Sequence, residues 1–276
     1  MSEIDTKYLK EKNVAALLET LAAEIVIQRP NDPEAFLRDR FSDGKEDTFK
    51  PSDAITLYVT MLSPVSAVAL LALSYAKHNN QITGYDVSEI NDGTPIPSDF
   101  HSTSPFQRLP ALNHNGVGVV EAGAIAKYVC SRTSAFPVTP ARQRARVDSL
   151  FETIQHLVLS EATAAVEERV FAPRKHQRPA DNISVQASAT RFRAALSQLQ
   201  SAAHLFEDSV WVVGSAVSIA DIILAAAVFS MHHVAGFDCV SGLEKLSKWW
   251  AAVQQEVFFV EGIRPLQAAA AKLYSR

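Results

Sequence analysis

The apolar positions at the start of the chain repeat with the period of a helix. Between residues 8 and 28 they form one stripe, which predicts an amphipathic helix. Asp32 followed by Pro33 predicts the start of a second, shorter helix, because aspartate caps helix N-termini and proline fits the first helical position. We therefore predict a helical hairpin over residues 1–42, followed by a polar, turn-rich linker over residues 43–54.

Residues 55–135 alternate between strand-like and helix-like segments. A short β-rich run at 55–59 precedes an almost wholly apolar helical segment, and a second β-rich run covers 82–87. The Asn115-Gly116 pair then predicts a hairpin turn, and a helix follows over 121–130. Strand, helix, strand, hairpin and helix is the order of a thioredoxin-like α/β domain.

Helical periodicity dominates the last part of the chain and predicts an all-helical domain over residues 140–276. Long helical periods cover 147–170 and 185–206. The strongest local signal is Ser218 at a helix N-cap with Asp221 three residues later, a short-acid variant of the capping box. This pattern predicts that Asp221 caps the helix that follows.

The composition is that of an ordinary soluble protein, with 47% hydrophobic residues, 20% charged residues and a net charge of −4. No global basic field is present, so we expect neither nucleic acid nor a membrane as a partner. The longest apolar run, 219–231, is too short to span a bilayer. Cys130 and Cys239 cannot form a disulfide framework and fit a reducing compartment. The polar N-terminus lacks a secretory pattern and the histidines lack metal-site spacing, so we expect a cytoplasmic protein without a metal.

Two neighbouring segments resemble a known family. The run 104–112 contains a Leu-Pro pair that opens a strand, and the following helix begins with Glu121-Ala122. Together they resemble the glutathione-binding half of the glutathione transferases. The resemblance implies glutathione as the ligand, a cis peptide bond before Pro110, backbone pairing of Leu109 with the tripeptide, and a ligand carboxylate facing Arg108. The glutathione-binding residues implied in this way are Arg108, Leu109, Pro110, Glu121 and Ala122.

The segment 57–63 resembles the end of the first strand in the theta and delta classes, where a serine hydroxyl stabilises the glutathione thiolate. This implies Ser63 as the catalytic residue. Ser63 before Pro64 is also an ordinary helix N-cap, and that alternative needs no ligand. The chain departs from the family at three positions: Val65 replaces a proline, Ala122 replaces a serine whose hydroxyl holds the γ-glutamyl end, and Pro95 stands where the theta class tends to have a histidine.

The helical hairpin resembles the dimerisation/docking domain of the type II regulatory subunit of protein kinase A. Tyr8-Leu9, Leu17-Leu18, the turn 29–33 and Phe36-Leu37 carry this resemblance. It implies a homodimer whose paired first helices bind an amphipathic anchoring helix of a scaffold protein, and a ciliary or flagellar location. The residues of this docking groove would be Val14, Leu17, Leu18, Leu21 and Ile25. The alternative is a hairpin that packs on its own chain.

The sequence favours the first of three functions, with the second as its alternative. The first is a docking adaptor whose transferase-like body has a partly eroded glutathione site, and Ala122 and Pro95 favour it. The second is an active glutathione transferase that conjugates glutathione to electrophiles. The third is a subunit of a translation complex that uses the fold for assembly.

Overall fold

The computed structural model describes residues 14–30, 32–41, 49–50, 53–91, 93, 95–131, 133–137, 141–207 and 209–274. It divides the chain between Thr48 and Phe49 into an N-terminal unit and a larger C-terminal unit. This boundary falls inside the segment 43–54 that the sequence predicts to be a linker.

The described residues of the N-terminal unit form two helices, α1 (Val14–Gln28) and α2 (Pro33–Phe41). The predicted N-cap of the second helix is confirmed, because Asp32 Oδ1 accepts hydrogen bonds of 3.0 Å from the N–H groups of Glu34 and Ala35. The part of the first helix predicted before Val14 lies outside the described residues.

A four-stranded mixed sheet forms one half of the C-terminal unit. Its strands are β1 (Ile55–Val59), β2 (Asp86–Glu89), β3 (Ala111–His114) and β4 (Val117–Val120). They lie in the order β2–β1–β3–β4, with β1 parallel to β2 and antiparallel to β3. Asn115 and Gly116 join β3 to β4 and both have positive φ, which explains the Asn-Gly pair at this turn.

The second strand lies later in the chain than the sequence predicted. The prediction placed it at 82–87, whereas β2 pairs with β1 over Asp86–Glu89. Ile82 is buried in the core, but it lies before the residues that form hydrogen bonds with β1. Because β2 is a largely exposed edge strand, it has little apolar pattern from which to be predicted.

Three helices complete this half, namely α3 (Pro64–His78), α4 (Phe100–Thr103) and α5 (Ala122–Val129). The side chains of α3 are buried without a break from Ser66 to Ala76, since this helix packs against β1, α5 and the helices of the other half. Burial on all sides explains the almost unbroken apolar sequence. The observed element order confirms the predicted thioredoxin-like domain.

The other half is all-helical, as predicted. Its helices are α6 (Ala141–Ile154), α7 (Ser160–Val166), α8 (Ala172–His176), α9 (Asn182–Ser201), α10 (Ile219–Phe229), α11 (Glu244–Val253) and α12 (Val257–Tyr274). Three π-helical segments continue them, at Gln155–Leu159, Glu167–Phe171 and Ser230–Ala235. The helical segment predicted over 147–170 therefore includes two π-helical segments. The helix predicted over 185–206 ends at Ser201.

Asp221 stabilises the start of α10 from the core, which supports its structural interpretation. It is fully buried and accepts four hydrogen bonds, of 2.7 to 2.9 Å. The donors are the N–H of Val212, the N–H and hydroxyl of Ser218, and Nε1–H of Trp249. Burial raises the pKa of Asp221, while these hydrogen bonds act in the opposite direction.

A second buried polar cluster connects the residues before β1 to the sheet. The Asp53 carboxylate lies 2.9 Å from Nε2 of His114, and both side chains are only 7% exposed. Nδ1 of His114 lies 2.6 Å from the Tyr128 hydroxyl, and the Phe49 ring stacks on the imidazole with 4.8 Å between centroids. The cluster therefore attaches the first residues of the C-terminal unit to β3 and α5.

Candidate functional site

A cleft of about 900 Å³ opens between the start of α5 and the helical half of the C-terminal unit. One wall consists of residues 121–124 together with Val65 from α3. The opposite wall comes from α6, the π-helical segment Gln155–Leu159 and α7. Both halves of the unit thus supply side chains to one concave surface, which is a common arrangement for small-molecule sites.

The loop before β3 is held in place beside this cleft by Ser104. The hydroxyl of this buried serine accepts a hydrogen bond of 2.8 Å from the Arg108 N–H and donates one of 2.9 Å to the Arg108 carbonyl. The peptide bond between Leu109 and Pro110 is cis, as predicted. Leu109 is partly buried against the cluster of Tyr58, Phe100 and Ala111. Sequence reasoning did not assign a role to Ser104, although its two bonds span only four residues.

Glu121 meets Arg108 at the edge of the cleft. The two side chains form an ion pair of 3.0 Å and are 56% and 63% exposed, respectively. Exposed pairs contribute little stability, so a ligand with its own charged groups can replace either partner at small cost. Glu121 also has a φ of 72°, which is uncommon for a residue with a side chain.

The first turn of α5 points hydrogen-bond donors at the same place. Its first intrahelical hydrogen bond runs from the Ile125 N–H to the Glu121 carbonyl. The N–H groups of Ala122, Gly123 and Ala124 precede that bond and have no carbonyl partner within the helix. Together with the helix dipole they favour an anion such as a carboxylate. Ala122 is buried and adds no hydroxyl to this set.

Ser63 precedes α3, and its role as a side-chain N-cap is not observed. Its carbonyl accepts the Ala67 N–H at 3.0 Å, but its hydroxyl makes no capping hydrogen bond. Ser63 is half-buried, and Val65, two residues later, lines the cleft. The hydroxyl thus makes no capping bond, and Ser63 itself is not among the residues that line the cleft.

The structure therefore groups most of the predicted site residues. Arg108, Glu121 and Ala122 lie around one edge of the cleft, and Leu109 and Pro110 continue directly from Arg108 into β3. The remaining candidate, Ser63, lies at the start of α3.

Sequence reasoning missed the ionic cluster on the cleft wall. Lys127 of α5 lies 2.7 Å from the Asp148 carboxylate and 2.6 Å from that of Glu152, both on α6. Partial burial lowers the pKa of Lys127, but the hydrogen bonds with these carboxylates outweigh burial and raise the pKa above its ordinary value. Glu152 also lies 3.8 Å from His156, a helical i,i+4 pair that the sequence contained. The cluster connects the two halves of the unit and keeps the ammonium charge of Lys127 neutralised.

Protein thiols do not contribute a nucleophile to this cleft. Both cysteines are buried, and burial raises the pKa of Cys130 and of Cys239 to about 12. They are therefore protonated thiols at neutral pH.

Within the described ranges, no group of three or more His, Cys, Asp or Glu side chains is arranged to hold a metal ion. Nor does any helix in the described part of the chain have the length and apolar character needed to cross a membrane.

The residues predicted to form a docking groove lie in the N-terminal unit. Leu21 is buried, Ile25 is half-buried and Leu18 is 61% exposed. The side chains of Val14 and Leu17 lie outside what the structure describes.

Comparison with protein families identifies both halves of the C-terminal unit. Residues 53–131 match the model of the glutathione S-transferase N-terminal domain, and residues 163–256 match that of the C-terminal domain. Among curated proteins, mouse glutathione S-transferase theta-1 is 25% identical over 213 residues, covering 74% of this chain and 83% of the relative. Rat theta-1 is 24% identical over 216 residues with the same coverage.

Solved structures show the same fold. Human glutathione S-transferase T1-1 in its apo form aligns with a TM-score of 0.62 and 20% identity, covering 79% of this chain and 91% of that one. The theta-class glutathione S-transferase from Xanthomonas axonopodis pv. citri, solved with glutathione bound, aligns with a TM-score of 0.63 and 17% identity, covering 76% and 97%. The domain models and the theta-class relatives together support assignment to the glutathione S-transferase family.

Proposed function

Because the chain carries both domains of the glutathione S-transferase family, we propose that its C-terminal unit binds glutathione in the cleft and conjugates it to an electrophile. The observation that carries this proposal is the cleft of about 900 Å³ onto which Glu121 and the first N–H groups of α5 open. A theta-class structure with glutathione bound shares this fold and supports the choice of ligand.

The charged ends of glutathione match the groups at the edge of the cleft. The α-carboxylate of the γ-glutamyl residue would meet the N–H groups at the start of α5, and its ammonium would meet the Glu121 carboxylate. Glutathione would thereby replace the exposed ion pair between Glu121 and Arg108, and the freed guanidinium can bind a second carboxylate. The Leu109 backbone is proposed to pair with the peptide of the ligand.

Catalysis would depend on the thiolate of glutathione. A free thiol has a pKa of about 8.5, so a hydrogen bond to the sulfur that favours the thiolate increases the nucleophile at neutral pH. We assign that hydrogen bond to the Ser63 hydroxyl. The thiolate then attacks an electrophilic carbon, a carbon–sulfur bond forms, the leaving group departs with its electron pair, and the thiol proton passes to solvent. The apolar wall near Val65 and Leu159 would hold the electrophile.

Replacing Ser63 tests this function. We expect Ser63→Ala to lower turnover of a standard electrophile by roughly tenfold or more while glutathione binding, measured by calorimetric titration, stays nearly unchanged. That combination is expected when a residue acts mainly in the transition state. Ser160→Ala is a matched control, because Ser160 also lines the cleft but its hydroxyl is occupied by the His156 carbonyl. This control should retain wild-type turnover.

Two results would contradict the proposal. Absence of turnover by the wild-type chain with every standard electrophile would contradict the proposed conjugation reaction. Absence of glutathione binding up to about 10 mM, where the binding free energy is below about 3 kcal/mol, would also contradict glutathione as the ligand.

We propose a second function for the N-terminal unit, namely docking through a homodimer that binds an amphipathic anchoring helix. The observation that favours it is the set of exposed apolar side chains on α1, which are Leu18, Val26 and Ile27. Exposed apolar side chains on a short helix leave apolar surface that a partner can cover. An adaptor of this kind would carry the transferase domains as its body.

A further inference from the structure

Gln155 lies unusually close to the start of α5. It is the first residue of the π-helical segment Gln155–Leu159, and it lines the cleft together with Glu121 and Ala122. A Cβ atom built on Gly123 would be 3.0 Å from Oε1 of Gln155 and 3.1 Å from Cε1 of Phe151. Any side chain at position 123 would therefore press against this glutamine. The absence of a side chain there allows the carboxamide to reach the first turn of α5.

The carboxamide of Gln155 has unused hydrogen-bonding capacity. It makes no hydrogen bond to any residue within the described ranges, although the side chain is half-buried at the cleft wall. A carboxamide offers two N–H donors and one carbonyl acceptor. A π-helical turn widens a helix locally and is found frequently at functional sites. Both features fit a side chain that binds a ligand.

The cationic side chains near Gln155 are already paired with carboxylates of the chain. Lys127 is paired with Asp148 and Glu152, and Arg108 is paired with Glu121. A carboxylate bound at the start of α5 thus relies on the backbone N–H groups of Ala122, Gly123 and Ala124, because Ala122 supplies no hydroxyl. An additional neutral donor beside these groups would strengthen the site without adding charge.

We propose that Gln155 is a glutathione-binding residue supplied by the helical half of the unit. With the carboxamide turned so that Nε2 takes the position of Oε1 beside Gly123, its N–H donates to the α-carboxylate of the γ-glutamyl residue, in place of the hydroxyl that Ala122 lacks. This inference rests on the proposed binding of glutathione to the cleft. The substitution of serine by alanine at 122 is then compensated from across the cleft, and the glycine at 123 makes the compensation possible.

Calorimetric titration with reduced glutathione tests this role. We expect Gln155→Ala to weaken glutathione binding by about tenfold, the typical effect of losing one hydrogen bond to a charged group. Gln155→Glu should weaken it at least as much, since a second carboxylate would face that of the ligand. Adding Ala122→Ser to Gln155→Ala should restore most of the lost affinity, because the new hydroxyl supplies the missing donor.

The dipeptide cysteinylglycine, which lacks the γ-glutamyl residue, separates a specific contact from general damage. The wild type and Gln155→Ala should bind this dipeptide equally. Loss of affinity for both ligands to the same extent would overturn the proposed contact. Equal glutathione affinity of wild type and Gln155→Ala would also overturn it while leaving glutathione binding by the cleft intact. Absence of glutathione binding by the wild type would overturn the proposed function itself, and this inference with it.

Discussion

At the scale of single residues, Asp53 is a carboxylate whose ionisation is tied to the fold. The Lys50 N–H donates to it at 2.5 Å, and His114 and Asn115 add contacts of 2.9 and 2.7 Å. The backbone hydrogen bond from Lys50 and then the contact with His114 lower the pKa of Asp53 to about 2. All these partners favour the ionised form of Asp53.

This lowered pKa predicts the pH range in which Asp53 contributes stability. A carboxyl group whose pKa is lower in the folded than in the unfolded chain stabilises the fold above the unfolded value and loses that contribution as pH falls through the folded one. The free energy of unfolding of the wild type, minus that of Asp53→Asn, should therefore be constant near neutral pH and decrease between pH 4 and pH 2. Urea unfolding of both proteins at each pH measures this difference.

Asp86→Asn is the control for this experiment, because Asp86 is an exposed carboxylate on the edge strand β2. A difference between wild type and Asp53→Asn that does not change down to pH 2 would contradict the assigned pKa.

Sequence reasoning could not have identified this cluster, because Asp53 and His114 are 61 residues apart. Only the packing of the segment before β1 against β3 brings them together. The cap residues Asp32 and Ser218 were predictable because their partners lie within three residues.

At the scale of elements, the contact between α4 and β4 positions the loop that carries Arg108. A Cβ atom on Gly118 of β4 would be 2.2 Å from the Thr103 carbonyl oxygen at the end of α4. Thr103 in turn accepts a hydrogen bond of 2.8 Å from the Asn113 amide. Ser104, the next residue, holds the backbone of Arg108. A glycine at 118 thus allows α4 to lie directly on the sheet.

Gly118→Ala should therefore damage both the fold and the ligand site. Since the obstacle is a backbone atom, α4 must shift, and overpacking of this kind costs about 1–3 kcal/mol of unfolding free energy. The shift would displace Arg108 and weaken glutathione binding. Gly84→Ala is the matched control, because no atom lies within 4 Å of the Cβ position at Gly84, and its stability should change by less than about 1 kcal/mol. Urea unfolding and glutathione titration of both variants measure these effects. Equal behaviour of the two variants would show that α4 is not held against β4 in this way.

The elements differ in how far the sequence could predict them. Strand β1 and helix α3 carry strong apolar patterns and were predicted within a few residues. Strand β2 was misplaced because an exposed edge strand carries no such pattern. The π-helical turns at Gln155–Leu159 and Glu167–Phe171 are only five residues long each, so the sequence pattern predicted the whole stretch as one helix. The position of Gln155 against Gly123 depends on packing between two halves of the unit and could not be predicted.

At the scale of the whole molecule, the chain consists of two units whose functions can be tested independently. The N-terminal unit ends at Thr48, and every residue of the proposed glutathione site lies in the C-terminal unit. A substitution on α1 should therefore leave glutathione affinity unchanged, whatever it does to association. This separation allows the docking proposal to be examined with the full chain.

Leu18→Asp tests whether α1 forms the dimer. Leu18 is 61% exposed, so a charge there disturbs the single chain little, whereas a partner helix covering it would have to bury the carboxylate at high cost. Light scattering should give the wild type twice the chain mass of 30.1 kDa and give the variant a mass shifted towards that of one chain. Glu19→Gln, at the neighbouring exposed position, should behave as the wild type. Equal masses for Leu18→Asp and the wild type would mean that α1 does not hold the chains together, and any dimer would then have to form through the C-terminal unit.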